Sequence, residues 1–197
     1  MYGSQAVVIS VDPRRVYVED PSTVPFKCIK VGDDNNGSGG PQPGPNGEQY
    51  CWYRCTTKGA RGTSEIDVPT LVTACAELGA GEIMVNLIDN DGVCNVRTGC
   101  SWASVCFVTD FIDTSAVQGF DSGLLSQARA AANIPVIASS GAGRPAHFAE
   151  VFELTDVEAA LGAGIFHRRD VEIADVKAAV EEAGFATVAG HREAKLL

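Results

Sequence analysis

Two aspartates and two glycine-rich turns are the residues of this 197-residue sequence best suited to chemistry. Asp12 ends one apolar run and precedes Pro13, and Asp91 follows a second apolar run and precedes Gly92. A carboxylate at the end of a buried strand can serve as a general acid or base, but beside Pro or Gly it also suits a plain turn. The residues alone leave both readings open. Ala138-Ser-Ser-Gly-Ala-Gly143 and Gly162-Ala-Gly164 are built from small residues that let an anion approach backbone N–H groups. A following helix adds donors and a positive dipole end. One such turn is equally a tight strand-to-helix connection, whereas two after successive strands converge on one phosphate-sized site. The basic turn Lys58-Gly-Ala-Arg61 is either an anion clamp or a solvated loop.

Other reactive residue types carry less. His147, beside Phe148 on a helical stretch, reads as a surface residue or one behind the site, and His167 as rim packing or a cap. Trp52 and Trp102 read as packing residues, with a lid over substrate as the alternative. The seven cysteines are odd in number and form no CxxC pair. They read as reduced structural thiols of a cytosolic type of compartment. No histidine has ligand spacing to a cysteine, so no metal or cofactor is expected.

These residues need a frame that lines up strand ends. Ala6–Val11 is a continuous apolar run, the pattern of a strand buried on both faces. Arg15–Glu19 and Gln49–Thr56 resemble the arms of a β-hairpin, separated by a Gly/Pro-rich stretch, 31–48, expected to be a flexible loop. Asp67 is placed to cap a helix over Val68–Leu78, with Pro69 in its first turn and Gly79 as its stop. Strands follow at Glu82–Ile88, Ile134–Ala138 and Val157–Leu161, and helices at Leu124–Ala132, Pro145–Leu154 and Ile173–Ala183.

Strand and helix thus alternate, which makes the class α/β with a parallel sheet. A doubly wound sheet and a barrel both fit that order. The paired glycine turns after the last two strands favour the barrel, whose final strands hold phosphate. Four βα units are half of eight, and the abrupt start at a strand also reads as that of a fragment. The stretch 93–118 breaks the rhythm, sitting where such loops run about 2–6 residues.

Composition narrows the partners. The net charge is −10, so neither nucleic acid nor an anionic membrane surface is an expected partner. No apolar run approaches the ~20 residues of a membrane helix, and no signal peptide is evident.

Five ordered segments carry a family resemblance: Gly3–Asp12, Gly79-Ala-Gly-Glu-Ile, Ile88-Asp-Asn-Asp-Gly92, Pro135–Gly143 and Ala159–His167. Together they resemble the cyclase of imidazole glycerol phosphate synthase. Gly47–Thr56 and Lys58–Arg61 look like the hairpin segment of its fused eukaryotic form, in which a glutaminase precedes the cyclase. The resemblance implies the C-terminal half of a TIM (β/α)8 barrel, strands 5–8, with an extra β-hairpin after the first strand, spanning 1–197. It implies the cyclase step of L-histidine biosynthesis in the cytoplasm, using ammonia and a phosphorylated aminoimidazole-carboxamide ribonucleotide. Asp12 matches one of two catalytic aspartates, the other lying in the absent half. Asn86, Asp91, Gly92, Ser140, Gly141, Ala163 and Gly164 match positions around the substrate and its phosphate end. The implied partners are the N-terminal half-barrel and the glutaminase, and a homodimer of half-barrels is the alternative assembly. Ala60 stands where the family usually has Gly. The 93–118 stretch has no counterpart in the resemblance, and a retained intron is one account of it.

Overall fold

The computed structural model describes residues 3–91 and 119–188. Gly92 and the expected insert 93–118, with Cys94, Cys100, Trp102 and Cys106, lie outside the described residues. In chain order the strands β1 (Val8–Val11), β2 (Pro13–Val18), β3 (Ile29–Lys30), β4 (Tyr50–Thr57) and β5 (Gly62–Asp67) precede helix α1 (Val68–Glu77). Then come β6 (Glu82–Asn86), α2 (Ser122–Ala131), β7 (Val136–Ser139), α3 (Pro145–Leu154), β8 (Ala159–Ala160), α4 (Gly164–His167) and α5 (Ile173–Glu182).

The fold is α/β. Strands β1, β6, β7 and β8 form a parallel sheet in that order, with Val11 opposite Val85, Val85 opposite Ala138, and Ala138 opposite Ala160. Alternation sorts their side chains between two faces. Ile9, Val11, Ile83, Val85, Val136 and Ala138 join a core with Val68 and Val72 of α1, Leu124 and Ala128 of α2, and Phe148 and Val151 of α3. The other face carries Val8, Ser10, Met84, Asn86, Ile137 and Ser139, none of them fully buried.

The first strand departs from expectation. Ser4–Ala6 forms a 3-10 turn, and Val8 is 49% exposed. β1 stands at the sheet edge with helix cover on one face, so its apolar run is buried on one side instead of two.

The added hairpin is larger than two arms. β4 is central, paired antiparallel with β2 on one side and with β3 and β5 on the other. β5 was not foreseen because Gly-Thr-Ser-Glu-Ile-Asp offers no clear apolar alternation. Trp52 packs inside this layer, stacked on Phe26 at 4.0 Å. Cys51 and Cys55 are buried on β4, and burial pushes both thiols up to about 12, which suits inert packing thiols.

Residues 31–48, expected to be a flexible loop, follow a tethered path. Gly32 N–H donates to Pro41 O at 3.0 Å and Gly44 N–H to Glu48 O at 3.1 Å. Ser38 donates through its N–H and its hydroxyl to the Glu150 carboxylate on α3, both at 2.6 Å. Among the described residues no helix is long and apolar enough to cross a membrane.

Candidate functional site

The sheet register brings the strand-end residues into one row. Asp12 follows Val11, Asn86 ends β6, and Ser139 pairs directly with Asn86. All three fall on the face away from the helices. Ser139 Oγ donates to Asn86 Oδ1 at 3.2 Å, and Ser10 Oγ donates to Asp12 Oδ1 at 2.9 Å. Asp12 is also tied through its carbonyl, which accepts from Thr56 N–H and Thr56 Oγ1 at 3.1 and 2.7 Å. Its backbone is therefore fixed to β4, and Asp12 stays half-exposed just beyond the Val11–Val85 pair.

Beyond this row lie the two small-residue turns. Ser140 takes a left-handed conformation, φ 69°, followed by Gly141 at φ 92°. A serine there costs of order 1 kcal/mol, and the bond from Ser140 Oγ to Leu87 O at 2.9 Å helps to hold it. Among the described residues the N–H groups of Gly141, Ala142, Gly162 and Ala163 have no hydrogen-bond acceptor. Gly143 N–H is spent: it donates to His147 Nδ1 at 3.1 Å. Aromatic packing couples the helices that follow the turns. Phe148 of α3 and Phe166 of α4 lie 6.2 Å apart, and a Cβ on Gly162 would come 2.9 Å from the Phe148 ring. Ala163 and Gly164 are exposed at the start of α4.

Of its two expected places, His147 takes the one behind the turn. It is 1% exposed, not a surface residue, and burial with Arg144 nearby brings its imidazole down to about 4. It is therefore neutral at pH 7 and accepts through Nδ1, closing the first turn of α3 from within. His167 sits exposed at the end of α4. Lys58 and Arg61 are exposed at the tip of the β4–β5 hairpin, where no described contact joins them to the strand-end row. Asp91 is exposed at the rim, its N–H donating to Ile88 O at 3.2 Å. No group of His, Cys, Asp and Glu among the described residues could hold a metal ion.

One cluster escaped the sequence reading altogether. Arg15 on β2 donates from Nε and Nη2 to Asp121 Oδ2 at 3.1 and 2.7 Å, and from Nη2 to Gly39 O at 2.6 Å. Tyr53 OH donates to Asp121 at 2.7 Å, and Asp121 also caps α2 by accepting from Leu124 N–H. The Arg15 and Asp121 side chains are 6% and 1% exposed. Burial pushes the Asp121 carboxyl up, while Arg15, the Leu124 N–H and the Tyr53 hydroxyl pull it back. With that many donors aimed at it, the group stands as a carboxylate. Burial works against the Arg15 cation, but Asp121 together with Tyr53 and Tyr17 outweighs it and holds the guanidinium above its ordinary range. The partners are 24 to 106 residues apart in sequence, so no local motif marks them.

Comparison with known proteins places this architecture. The family described as "Histidine biosynthesis protein" matches residues 101–172, which include the first glycine turn and the second. Over those residues the chain is similar to this histidine biosynthesis family. The chain is 46% identical over 182 residues to the chloroplastic imidazole glycerol phosphate synthase hisHF of Arabidopsis thaliana, covering 92% of this chain and 25% of that protein. It is 45% identical over 176 residues to imidazole glycerol phosphate synthase hisHF of Schizosaccharomyces pombe, covering 89% and 27%. With the HisF subunit of Methanobrevibacter smithii the identity is 37% over 180 residues, covering 91% and 52%. The chain thus spans about a quarter of the hisHF relatives and about half of the HisF subunit.

Proposed function

We propose that this chain is the C-terminal half, strands 5–8, of a phosphate-binding (β/α)8 barrel that carries out the cyclase step of imidazole glycerol phosphate synthase in L-histidine biosynthesis. In this reading ammonia derived from glutamine converts a phosphoribulosyl-formimino aminoimidazole carboxamide ribonucleotide to imidazole glycerol phosphate and aminoimidazole carboxamide ribotide. Asp12 is the acid–base group of this half. Asn86, Asp91 and Gly92 hold the substrate, and the N–H groups at Ser140-Gly141 and Ala163-Gly164 hold its phosphate. Lys58 and Arg61 serve as an outer clamp on the same anion. The observation that carries the proposal is the row Asp12, Asn86, Ser139 beneath two turns with unspent N–H donors. A net charge of −10 does not oppose phosphate binding, because backbone donors act at short range.

The partners in this reading are an N-terminal half-barrel, which brings the second aspartate, and a glutaminase that supplies ammonia. The place of work is the cytoplasm. The domain proposal extends the half-barrel over 1–197, with 31–48 as an added loop and 93–118 as an insert. The chain alone should show no turnover, since loss of one acid–base group costs about 10²-fold or more. The test is to combine the chain with the N-terminal half of a related cyclase and to assay ammonia-dependent turnover. Activity that appears only in the mixture supports the proposal, and assembled halves without activity overturn it.

A second reading is a self-associating half-barrel that binds phosphate without chemistry. It is favoured by the parallel sheet, whose outer strands β1 and β8 have no described partner on their far sides and whose second face is only partly buried. Such edges promote pairing with another chain. Sedimentation of the isolated chain separates a dimer from a monomer.

A further inference from the structure

We infer that Arg15 is a positioning residue for the rim that carries Asp91. Three connections meet on this one residue. Its own N–H donates to Asp89 Oδ2 at 2.7 Å, fixing the 3-10 turn Ile88–Asn90 that follows β6. Its guanidinium holds Asp121 at the start of α2, on the other side of the 92–118 stretch. The same guanidinium holds the carbonyl of Gly39, which also accepts from Asn90 Nδ2 at 3.0 Å. Asn90 Nδ2 reaches Gly119 O as well, at 3.3 Å.

The Gly-rich segment is thereby laid across the rim, directly on the backbone at Gly119 and Phe120. The fit needs glycine, because a Cβ on Gly39 would lie 1.8 Å from Gly119 O and 2.5 Å from Phe120 C. Asp91 takes its place from this junction, since its N–H closes the Ile88–Asn90 turn.

Stability does not require such a group. Apolar side chains of similar volume often replace a buried ion pair with no loss. A guanidinium fork does what they cannot: it addresses a carboxylate and a carbonyl at set angles. Its product is therefore geometry at the end of β6. The inference rests on the reading above that Asp91 meets substrate.

The test uses Asp89→Ala, an exposed change that removes the acceptor of the Arg15 N–H and leaves the buried Arg15, Asp121 and Tyr53 group in place. Asp89→Asn, whose amide oxygen still accepts, is the conservative control. In the chain alone, hydrogen exchange in peptides covering 87–91 should quicken about tenfold in the alanine variant, return in the asparagine variant, and stay unchanged over β7 and α3. Unaltered exchange in 87–91 overturns the inference. In the reconstituted cyclase the alanine variant should raise KM for the ribonucleotide more than it lowers kcat, with an unshifted pH profile. An active wild-type mixture with an unchanged KM in the variant also overturns the inference. A wild-type mixture without turnover counts against the functional reading alone, and the exchange measurement still decides whether the Arg15 N–H holds the rim at 87–91.

Discussion

Two parts of one rim solve opposite problems. Around Arg15, charges are buried and nearly every polar group is answered by another: Asp121 by Arg15, Tyr53 and Leu124, and Gly39 O by Arg15 and Asn90. Around Ser140–Gly141 and Gly162–Gly164 there is little charge, Ser140 is held in a costly conformation, and N–H donors are left unspent. A region that consumes its own polar groups fixes geometry, whereas a region that withholds them is ready for a ligand. His147 marks the border: it takes the Gly143 N–H and leaves those of Gly141 and Ala142 open.

The sharpest way to break the contrast is to remove a charge from the self-satisfied side. Arg15→Ala leaves Asp121 buried without its cation, and the chain should lose about 3–5 kcal/mol in urea unfolding. A loss no larger than that of an exposed substitution would mean that the cluster is open to water and the comparison false.

A smaller effect comes from the border residue. Burial brings His147 to about 4, below its ordinary 6.5, so the unfolded chain binds a proton first as the pH falls. The resulting stability is present in full above about pH 6.5 and is lost as the pH drops toward 4. Protonation also removes the Nδ1 acceptor of Gly143 N–H. Melting temperatures across this range should fall more steeply for the wild type than for His147→Gln, and parallel slopes would remove His147 from the account.

The smallest effect lies in the β4–β5 turn, away from both regions. Ala60 has φ 66°, a left-handed conformation that a Cβ disfavours. Ala60→Gly should stabilise the chain by about 1 kcal/mol in urea unfolding, because glycine takes the left-handed conformation without a Cβ penalty. An unchanged or lowered unfolding midpoint would mean that the turn stores no strain.

The comparison also explains what the sequence could reveal. The glycine turns were legible because their chemistry is local: small residues between a strand and a helix. The helix starts at Asp67 and Pro145 were legible for the same reason, and the observed caps and bounds follow them closely. Asp121 is not legible as a cap because the apolar pattern starts the helix at Leu124, two residues past its true start at Ser122. The Arg15 cluster was hidden because its pairing depends on tertiary contacts between β2, β4, the 31–48 segment and α2. β1 was misjudged because an apolar run records what a strand can bury, and neighbours decide what it does bury.

The most direct test of the account is a calorimetric titration of this chain with inorganic phosphate, repeated with Ala142, which lies outside the left-handed region, replaced by Pro to remove one donor. Saturable binding that weakens in the variant is the predicted result. No binding by the wild-type chain, in a sample shown to be folded, would contradict the claim that these two turns are kept open for phosphate.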